Sequence, residues 1–322
     1  MKRGVITGVG SYLPRRVMLN AELPASLDTS DAWIVERTGI RQRHLAADDE
    51  RTSDLGAAAA RAALSDAGLT PEAIDLIVVG TTTPDETMPA TATRIQHKLG
   101  MQRAPAMDVN AACSGFVYAL TVADSLLRCG RATRALVIGA ETYSRILNWE
   151  DRGTCILFGD GAGAVVLEAA EESEAAGRGM LYAHIDAEGR YGDLLATTGG
   201  VSATKEAGTL TMQGREIFRH AVAKMSESLE AGLYALRLRA EDIDWLVPHQ
   251  ANWRILASVA QRVGIPESRV VSTVALHANT SAASIPLALA AAKADGRLKT
   301  GQLVALAALG AGLTWGSCII RW

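Results

Sequence analysis

Three residues of this chain have side chains suited to chemistry on an activated acyl group: Cys113, His249 and Asn279. A cysteine thiolate attacks a thioester and forms an acyl-enzyme at modest cost. A neutral imidazole and a side-chain amide both donate hydrogen bonds, and two such donors on one oxygen stabilise an enolate. Together these residue types predict carbon–carbon bond formation between thioesters.

Each of the three residues also has a purely structural interpretation. Cysteine is often buried as a small apolar residue. A histidine after a strand can lie in a surface loop, and an asparagine before a helix of small residues can be its N-cap. Residue type alone therefore leaves both interpretations open for Cys113, His249 and Asn279.

The surrounding patterns place these residues at the ends of strands and helices. Cys113 lies between a strand-like run, residues 104–109, and a helical pattern that begins near Phe116. A helix N-terminus stabilises a thiolate through its free N–H groups and its dipole. His249 follows an apolar, strand-like run at residues 244–247, and the exit of a strand is the usual place for an α/β active site.

An internal repeat organises the chain. The segment "IDLIVVG" (74–80) resembles "IDWLVPH" (243–249), and residues 113–139 resemble residues 279–307. Ordered matches of this kind indicate duplication, with an N-terminal half at 1–172 and a C-terminal half at 173–322. Aligned on these segments, Asn279 takes the position of Cys113 and His249 that of Gly80. Strand-like and helical runs alternate, which predicts a layered α/β fold.

Composition excludes several classes of function. The formal net charge of −3 and the scattered basic residues give no sign of nucleic-acid binding. The four cysteines have no metal-ligand spacing, so we expect reduced thiols, no bound metal and a cytoplasmic protein. Residues 301–320 contain no charge, but Gly310 and Gly312 interrupt them. They predict two buried strands and no membrane span.

Seven motifs in order resemble the β-ketoacyl-acyl-carrier-protein synthase III family, the initiating condensing enzymes of bacterial type II fatty-acid synthesis. They are "GVGSYLP" (8–14), "DTSDAWIVERTGIRQRH" (28–44), "DVNAACSGFVYAL" (108–120), "DRGTCILFGDGAGA" (151–164), "WLVPHQANWRI" (245–255), "HANTSAAS" (277–284) and "GAGLTWGS" (310–317). The resemblance implies a thiolase-like duplicated fold, a five-layer αβαβα sandwich, and a homodimer.

The same resemblance implies a two-step reaction. Acyl-CoA, with acetyl-CoA as the expected primer, acylates Cys113. Decarboxylative condensation with malonyl-acyl carrier protein then gives a 3-ketoacyl-acyl carrier protein. His249 and Asn279 would assist decarboxylation and bind the enolate oxygen, and the backbone N–H groups of Cys113 and Ala311 would form an oxyanion hole. No cofactor is implied beyond the coenzyme A thioester, which is a substrate.

Further residues match substrate-binding positions of the family. Trp33 and Arg152 match the residues that sandwich the adenine of coenzyme A, Arg37 one near its phosphates, and Asn252 one in the pantetheine tunnel. Arg219, Arg254 and Arg262 match a basic rim that receives the acidic carrier protein. Met88 matches the position at the dimer interface that controls primer length. Leu309 replaces an aromatic residue near the active site, and Ala311 replaces a glycine that is frequent in the family.

Several other functions compete with this interpretation. A family member that starts a polyketide, or transfers an acyl group to oxygen or nitrogen, would use the same three residues. Papain-like hydrolases share the order Cys, His, Asn, but the sequence around Cys113 lacks their pattern. A thiolase needs a second cysteine as acid and base, whereas Cys318 lies in an apparent strand. A non-catalytic binding module would not need all three polar residues.

Overall fold

A computed structural model describes residues 2–322 of the chain. The strands are β1 Lys2–Tyr12, β2 Arg16–Leu19, β3 Gln42–Leu45, β4 Leu76–Gly80, β5 Ala106–Val109, β6 Arg134–Thr142, β7 Asp160–Glu171, β8 Gly179–Ala187, β9 Leu195–Thr197, β10 Leu210–Met212, β11 Trp245–Pro248, β12 Leu303–Gly310 and β13 Thr314–Arg321. The helices are α1 Asp31–Thr38, α2 Thr52–Ala67, α3 Thr91–Lys98, α4 Gly115–Arg128, α5 Arg152–Cys155, α6 Gly214–Leu236, α7 Trp253–Val263, α8 Val274–His277 and α9 Ser284–Ala294.

Two mixed sheets form the core. The first has the order β1-β7-β6-β4-β5, and the second has the order β11-β12-β13-β8. In the first sheet β4 runs parallel to both β5 and β6, whereas β7 is antiparallel to its neighbours. In the second sheet β11 and β12 are parallel. Every strand of the first sheet ends before residue 172, and every strand of the second begins after residue 178.

Helices cover both faces of each sheet. Helices α2 and α3 pack on the outer face of the first sheet, and α6 packs on the outer face of the second, where α7 contacts α6. Helices α4 and α9 contact strands of both sheets and so form the central layer. The predicted five-layer αβαβα arrangement is confirmed. The central strands read as nearly continuous apolar runs because both of their faces are buried.

The uncharged stretch near the C-terminus forms two strands, as predicted. Strands β12 and β13 pair antiparallel, and the turn between them contains Gly312, which has a φ of 132°. Among residues 2–322, none of the helices combines the length and the apolar character needed to span a bilayer.

The glycine-rich segment at residues 159–164 forms, from Asp160 onwards, the beginning of β7 and not a nucleotide-binding turn. A Cβ at Gly163 would lie 2.6 Å from the backbone nitrogen of Leu287 on α9. Glycine therefore allows β7 to approach the central helix layer closely.

Candidate active site

Cys113, His249 and Asn279 line one cavity, although they are far apart in the sequence. The cavity has a volume of about 170 Å³, and most of its wall is apolar. All three side chains are buried, with exposed fractions of 4%, 3% and 5%. The structure thus brings together the thiol, the imidazole and the amide that the sequence singled out.

Cys113 lies in a 3₁₀ turn, Ala112–Ser114, immediately before α4. Ala112 has a φ of 47°, which turns the chain sharply at the strand-to-helix junction. Strand β13 holds this turn through two hydrogen bonds. The Ser114 hydroxyl donates to the Thr314 carbonyl at 3.0 Å, and the Thr314 hydroxyl donates to the Ala111 carbonyl at 2.8 Å.

The Cys113 thiol is protonated at neutral pH. Burial raises the pKa of Cys113 to about 12, the Ser281 hydroxyl lowers this pKa, and the Glu141 carboxylate raises it. The sequence-based expectation was that the helix start would favour the thiolate. Desolvation of the anion outweighs that contribution, so the proton must leave as the thiol reacts.

His249 directly follows β11, whose bounds lie one residue later than the run at 244–247 expected from the sequence. Its backbone N–H donates to the Ala307 carbonyl at 2.8 Å, and its Nδ1 lies 2.7 Å from the Ser284 hydroxyl oxygen. Burial lowers the pKa of His249 to about 3, so the ring is neutral at physiological pH. When Ser284 donates to Nδ1, the neutral ring has its proton on Nε2, where it is a donor.

Asn279 combines a structural role with exposure of its amide to the cavity. Its Oδ1 accepts the backbone N–H of Ser281 at 2.8 Å, at the start of the 3₁₀ turn Ser281–Ala283 that precedes α9. Its backbone is also fixed, by hydrogen bonds to Leu157 and Gly159. With Oδ1 engaged, the donors that Asn279 offers to the cavity are the Nδ2 hydrogens. The N-cap of α9 is Ala283, so Asn279 does not cap the helix; its Oδ1 instead holds the turn that precedes α9.

The structure aligns the two halves differently at the site from the alignment based on sequence. Ala112 and Ser281 are the residues with positive φ in the two equivalent turns, at 47° and 49°. Their offset in residue number pairs Asn110 with Asn279 and leaves Gly80 paired with His249. Asn279 is therefore not the counterpart of Cys113. The sequence alignment used the helix ends, and α9 has 11 residues where α4 has 14.

The end of β12 approaches the backbone of the Cys113 turn. A Cβ at Gly310 would lie 2.7 Å from the Cys113 nitrogen and 2.6 Å from the Ala111 carbonyl oxygen. Ala311 follows directly, and its carbonyl accepts the Thr314 hydroxyl at 3.0 Å. The backbone at 310–311 is thus beside the nucleophile, and Leu309 lines the cavity.

Trp33, Arg37 and Arg152 form a cluster at the surface. The guanidinium carbons of Arg37 and Arg152 lie 4.4 and 5.0 Å from the centre of the Trp33 ring. Helix α1, which contains Trp33, contacts α7. Asn252 is the N-cap of α7 and lines the cavity, so α7 connects the cluster with the cavity.

The remaining predicted residues lie outside the cavity. Arg219, Arg254 and Arg262 are exposed on α6 and α7. Arg219 pairs with Glu216 at 2.6 Å and Arg262 with Glu227 at 3.4 Å. Met88 is 83% exposed and does not line the cavity of its own chain.

Sequence reasoning missed the residues that hold the site. Ser281 and Ser284 lie inside the motif "HANTSAAS" but were assigned no role, and Glu141 follows an apolar run. Glu141 is fully buried and hydrogen-bonds to Ser281. The sequence offered one indication that Glu141 belongs to the site, namely an acidic residue at the end of an otherwise apolar strand.

Comparison with known proteins agrees with this geometry. Two family models match: 3-Oxoacyl-[acyl-carrier-protein (ACP)] synthase III over residues 107–189, and the C-terminal part of the same synthase over residues 233–322. The chain is 58% identical over 323 aligned residues to a beta-ketoacyl-[acyl-carrier-protein] synthase III of Sinorhizobium medicae (strain WSM419), and covers 100% of both chains.

Solved structures give the same result. The crystal structure of 3-oxoacyl-(acyl carrier protein) synthase III from Pseudomonas aeruginosa PAO1 has a TM-score of 0.93 and 47% identity, covering 99% of this chain and 98% of that one. The priming beta-ketosynthase from the R1128 polyketide biosynthetic pathway has a TM-score of 0.92 and 34% identity, covering 99% and 96%. The chain therefore belongs to the β-ketoacyl-[acyl-carrier-protein] synthase III family, has its thiolase-like fold, and is an acyltransferase of fatty-acid biosynthesis.

Proposed function

We propose that this enzyme starts fatty-acid synthesis by condensing an acetyl group from acetyl-CoA with malonyl-acyl carrier protein. The observation that supports this most directly is the buried cavity that Cys113, His249 and Asn279 line together. A thiol, a neutral imidazole and an amide are the groups required to hold an acyl chain and to stabilise an enolate beside it.

In the first half-reaction, Cys113 attacks the acetyl-CoA carbonyl and coenzyme A leaves as a thiol. The backbone N–H groups of Cys113 and Ala311 bind the oxyanion of the tetrahedral intermediate. The close approach of Gly310 to the Cys113 nitrogen supports this pairing, because it brings the backbone of β12 beside the turn that contains the nucleophile.

In the second half-reaction, the malonyl group loses carbon dioxide and the resulting enolate carbon attacks the acetyl-enzyme. His249 Nε2 and Asn279 Nδ2 donate hydrogen bonds to the enolate oxygen. Both side chains are fixed through their other polar atom, by Ser284 and by the Ser281 backbone. Donors fixed in advance stabilise developing charge without reorganisation.

Coenzyme A binds with its adenine against Trp33, between Arg37 and Arg152, and with its pantetheine arm along Asn252. A guanidinium stacks on an aromatic face and pairs with phosphate. The carrier protein docks on Arg219, Arg254 and Arg262. Arg254 supports this docking surface, because within residues 2–322 no carboxylate lies within 4 Å of it and its guanidinium faces the Phe218 ring, which lines the cavity.

The protein acts as a homodimer in the cytoplasm, with coenzyme A thioesters and carrier protein as its substrates. Each chain consists of two duplicated halves, at 1–172 and 173–322. Strand β5 supports the dimer, because it lies at the edge of the first sheet. Asp108 on β5 accepts the Thr91 and Ala92 N–H groups at 2.7 and 2.8 Å, so the segment with exposed Met88 lies beside this edge. A second copy would pair with β5 and cover Met88.

A polyketide-priming role is the second candidate, since the R1128 priming ketosynthase has the same fold. One experiment distinguishes the two. The protein is incubated with acetyl-, butyryl- and hexanoyl-CoA, the adduct mass on Cys113 is measured, and the acyl-enzyme is chased with malonyl-acyl carrier protein. We expect an acetyl adduct that the chase converts to acetoacetyl-carrier protein.

Two cysteine variants test whether Cys113 is the acylated residue, and the preferred acyl group distinguishes the two candidate functions. Cys129 is exposed, so Cys129→Ala should keep the adduct and Cys113→Ala should lose it. A preference for longer acyl groups would contradict acetyl priming and favour the second role. Absence of any adduct on Cys113 would contradict both.

A further inference from the structure

Arg43, on β3, is a charged residue in the interior of the protein. It is fully buried, and burial lowers its pKa to about 10, so the guanidinium is still charged at neutral pH. Its hydrogen bonds go to the Asn20 amide oxygen at 2.9 Å, the Ile156 carbonyl at 2.9 Å and the Met18 carbonyl at 3.5 Å, and none of these acceptors is a carboxylate. Within residues 2–322, its Nε has no hydrogen-bond partner. An apolar side chain would avoid the cost of burying this charge, which points to a role for the hydrogen bonds that Arg43 makes.

The hydrogen bond from Arg43 to Asn20 fixes both ends of α1. A guanidinium can only donate hydrogen bonds, so the Asn20 oxygen faces Arg43 and the Asn20 Nδ2 group faces the other way. The two Nδ2 hydrogens go to the Asp31 carboxylate and the Ile40 carbonyl, both at 2.8 Å. Asp31 is the first residue of α1, and Ile40 is the second residue after its end. One buried amide therefore holds the helix at both ends.

The hydrogen bond from Arg43 to Ile156 reaches the end of α5. Ile156 directly follows this short helix, and its carbonyl accepts from the same guanidinium nitrogen, Nη2, that donates to Asn20. Cys155 at the end of α5 and Ile34 on α1 are both fully buried in one apolar cluster. A single nitrogen of Arg43 thus connects α1 with α5.

The same two helices contain the two sides of the surface cluster. Trp33 lies on α1, two residues after Asp31, and Arg152 is the first residue of α5. The guanidinium carbon of Arg152 lies 5.0 Å from the centre of the Trp33 ring. A stacking site depends on the distance and the tilt between its two planes. The position of α1 relative to α5 therefore decides how well a flat ring can bind between Trp33 and Arg152.

We propose that Arg43 is a positioning residue of the coenzyme A site. By holding α1 and the end of α5 together, it sets the separation of Trp33 from Arg152 and does not itself touch the ligand. Loss of Arg43 should weaken the binding of the nucleotide part of acyl-CoA and leave the reactivity of Cys113 unchanged. The proposal rests on the coenzyme A site proposed above.

A competing role for Arg43 is the support of Asn279. Leu157, the residue after Ile156, accepts the Asn279 backbone N–H at 2.9 Å, so the same hydrogen bond of Arg43 lies close to the segment that holds Asn279. That role predicts a slower condensation step with normal binding of coenzyme A. The two roles therefore differ in the step that they affect.

Two thioesters separate positioning from chemistry. Acetyl-CoA carries the nucleotide, whereas S-acetyl-N-acetylcysteamine carries only the thioester end. The second-order rate of Cys113 acetylation by each compound is measured from the mass of the intact protein. Arg43→Met should lower the rate with acetyl-CoA, and the affinity for free coenzyme A in titration calorimetry, about tenfold, the size of one lost stacking contact. The rate with S-acetyl-N-acetylcysteamine should stay within a few-fold of that of the unmodified protein.

Asn20→Asp tests the same connection without removing the buried charge. The carboxylate still accepts from Arg43 but cannot donate to Asp31 or Ile40, so the affinity for coenzyme A should fall as in Arg43→Met. Asp31→Asn added to Asn20→Asp restores a donor between these two positions and should recover part of the affinity, whereas a simple loss of stability would not be repaired. These variants decide the question if Arg43→Met does not fold.

Leu64→Ala is the matched control for lost stability, because Leu64 is buried on α2 in a different apolar cluster. It should unfold at a lower temperature and keep the ratio of the two acetylation rates. An unchanged ratio in Arg43→Met and Asn20→Asp, or an equal loss with both thioesters, would overturn the proposal. A loss confined to condensation with malonyl-carrier protein would overturn it as well, in favour of the support of Asn279.

Trp33→Ala separates failure of this proposal from failure of the proposed function. If Trp33→Ala lowers the affinity for coenzyme A and the variants of Arg43 and Asn20 do not, the positioning role is wrong and the coenzyme A site stands. If none of these variants changes the affinity, the coenzyme A site itself is wrong and the positioning role fails with it.

Discussion

His249 and Asn279 share a common design at the scale of the residue. Each is held by the protein through one polar atom and offers the other to the cavity. Neither side chain can rotate freely towards another hydrogen-bond partner, so both donors face the same small volume. Their contribution should therefore appear in the half-reaction that develops an enolate, and not in the formation of the acyl-enzyme.

The double variant His249→Ala with Asn279→Ala tests this separation. We expect it to form the acetyl-enzyme at a rate within a few-fold of the unmodified protein, because neither donor touches the first oxyanion. Condensation should fall by on the order of 100-fold or more, the usual loss for a fixed donor. Intact-protein mass measures the first step and product formation from malonyl-carrier protein the second. Normal condensation would remove both residues from the mechanism.

Burial of a neutral His249 predicts how stability depends on pH. Its folded pKa of about 3 lies below the ordinary 6.5, so the unfolded chain binds a proton that the folded chain excludes. This contribution is fully present above pH 6.5 and is lost as the pH falls towards 3. Between pH 7 and pH 5, His249→Asn should lose about 2 kcal/mol less free energy of unfolding than the unmodified protein.

Urea unfolding at the two pH values measures this difference. His97→Asn, which changes an exposed ring on α3, is the control and should behave like the unmodified protein. An equal loss of stability in His249→Asn and the unmodified protein would mean that His249 is solvated or charged in the fold.

At the scale of the element, the approach of β12 to the Cys113 turn gives a sharp prediction. Gly310→Ala would place a Cβ 2.6–2.7 Å from backbone atoms of Ala111 and Cys113, so the turn must shift. We expect a loss of about 1–3 kcal/mol in stability and of roughly 100-fold in acetylation rate, as for a nucleophile displaced by about 1 Å.

Gly189→Ala is the matched control, since no heavy atom lies within 4 Å of the Cβ that it adds. Circular dichroism and thermal unfolding measure folding, and the mass of the Cys113 adduct measures acetylation. Full acetylation by Gly310→Ala would show that the oxyanion hole does not depend on this contact.

The sequence predicted elements better than it predicted the contacts between them. The exit of β11 and the start of α4 followed from local apolar patterns, so His249 and Cys113 could be placed at strand and helix ends. The hydrogen bond between Ser114 and Thr314 spans 200 residues, and no local pattern encodes it. The raised pKa of Cys113 also depends on enclosure by distant elements, which no local sequence pattern encodes.

At the scale of the whole molecule, the proposed dimer should depend on Met88. We expect Met88→Asp to shift the protein towards a monomer, because an added charge at a covered apolar contact must lose its hydration. Light scattering after size-exclusion chromatography measures the mass. Val201→Asp is the matched control, because Val201 is also an exposed apolar residue, at 61%. An unchanged dimer in Met88→Asp, or a monomer in both variants, would contradict the proposed interface.

Carrier-protein docking should depend on Arg254 more than on Arg219 and Arg262, because those two arginines already pair with glutamates. Arg254→Glu should raise KM for malonyl-carrier protein about tenfold, because a charge at the rim of an interface mainly affects association. Acetylation by acetyl-CoA should be unchanged. Arg131→Glu, which makes the same charge change at another exposed position, is the control. Equal effects of both variants would indicate only net charge.

The hydrogen bond from Thr314 to the Cys113 turn also has a consequence for biosynthesis. The bond spans 203 residues, so the ribosome makes the nucleophile long before the strand that shapes its turn. A growing chain that lacks β13 also lacks the two hydrogen bonds that hold the turn of Cys113. The nucleophile candidate therefore leaves the ribosome before its turn is fixed, and the turn takes its final shape only when the last strand pairs.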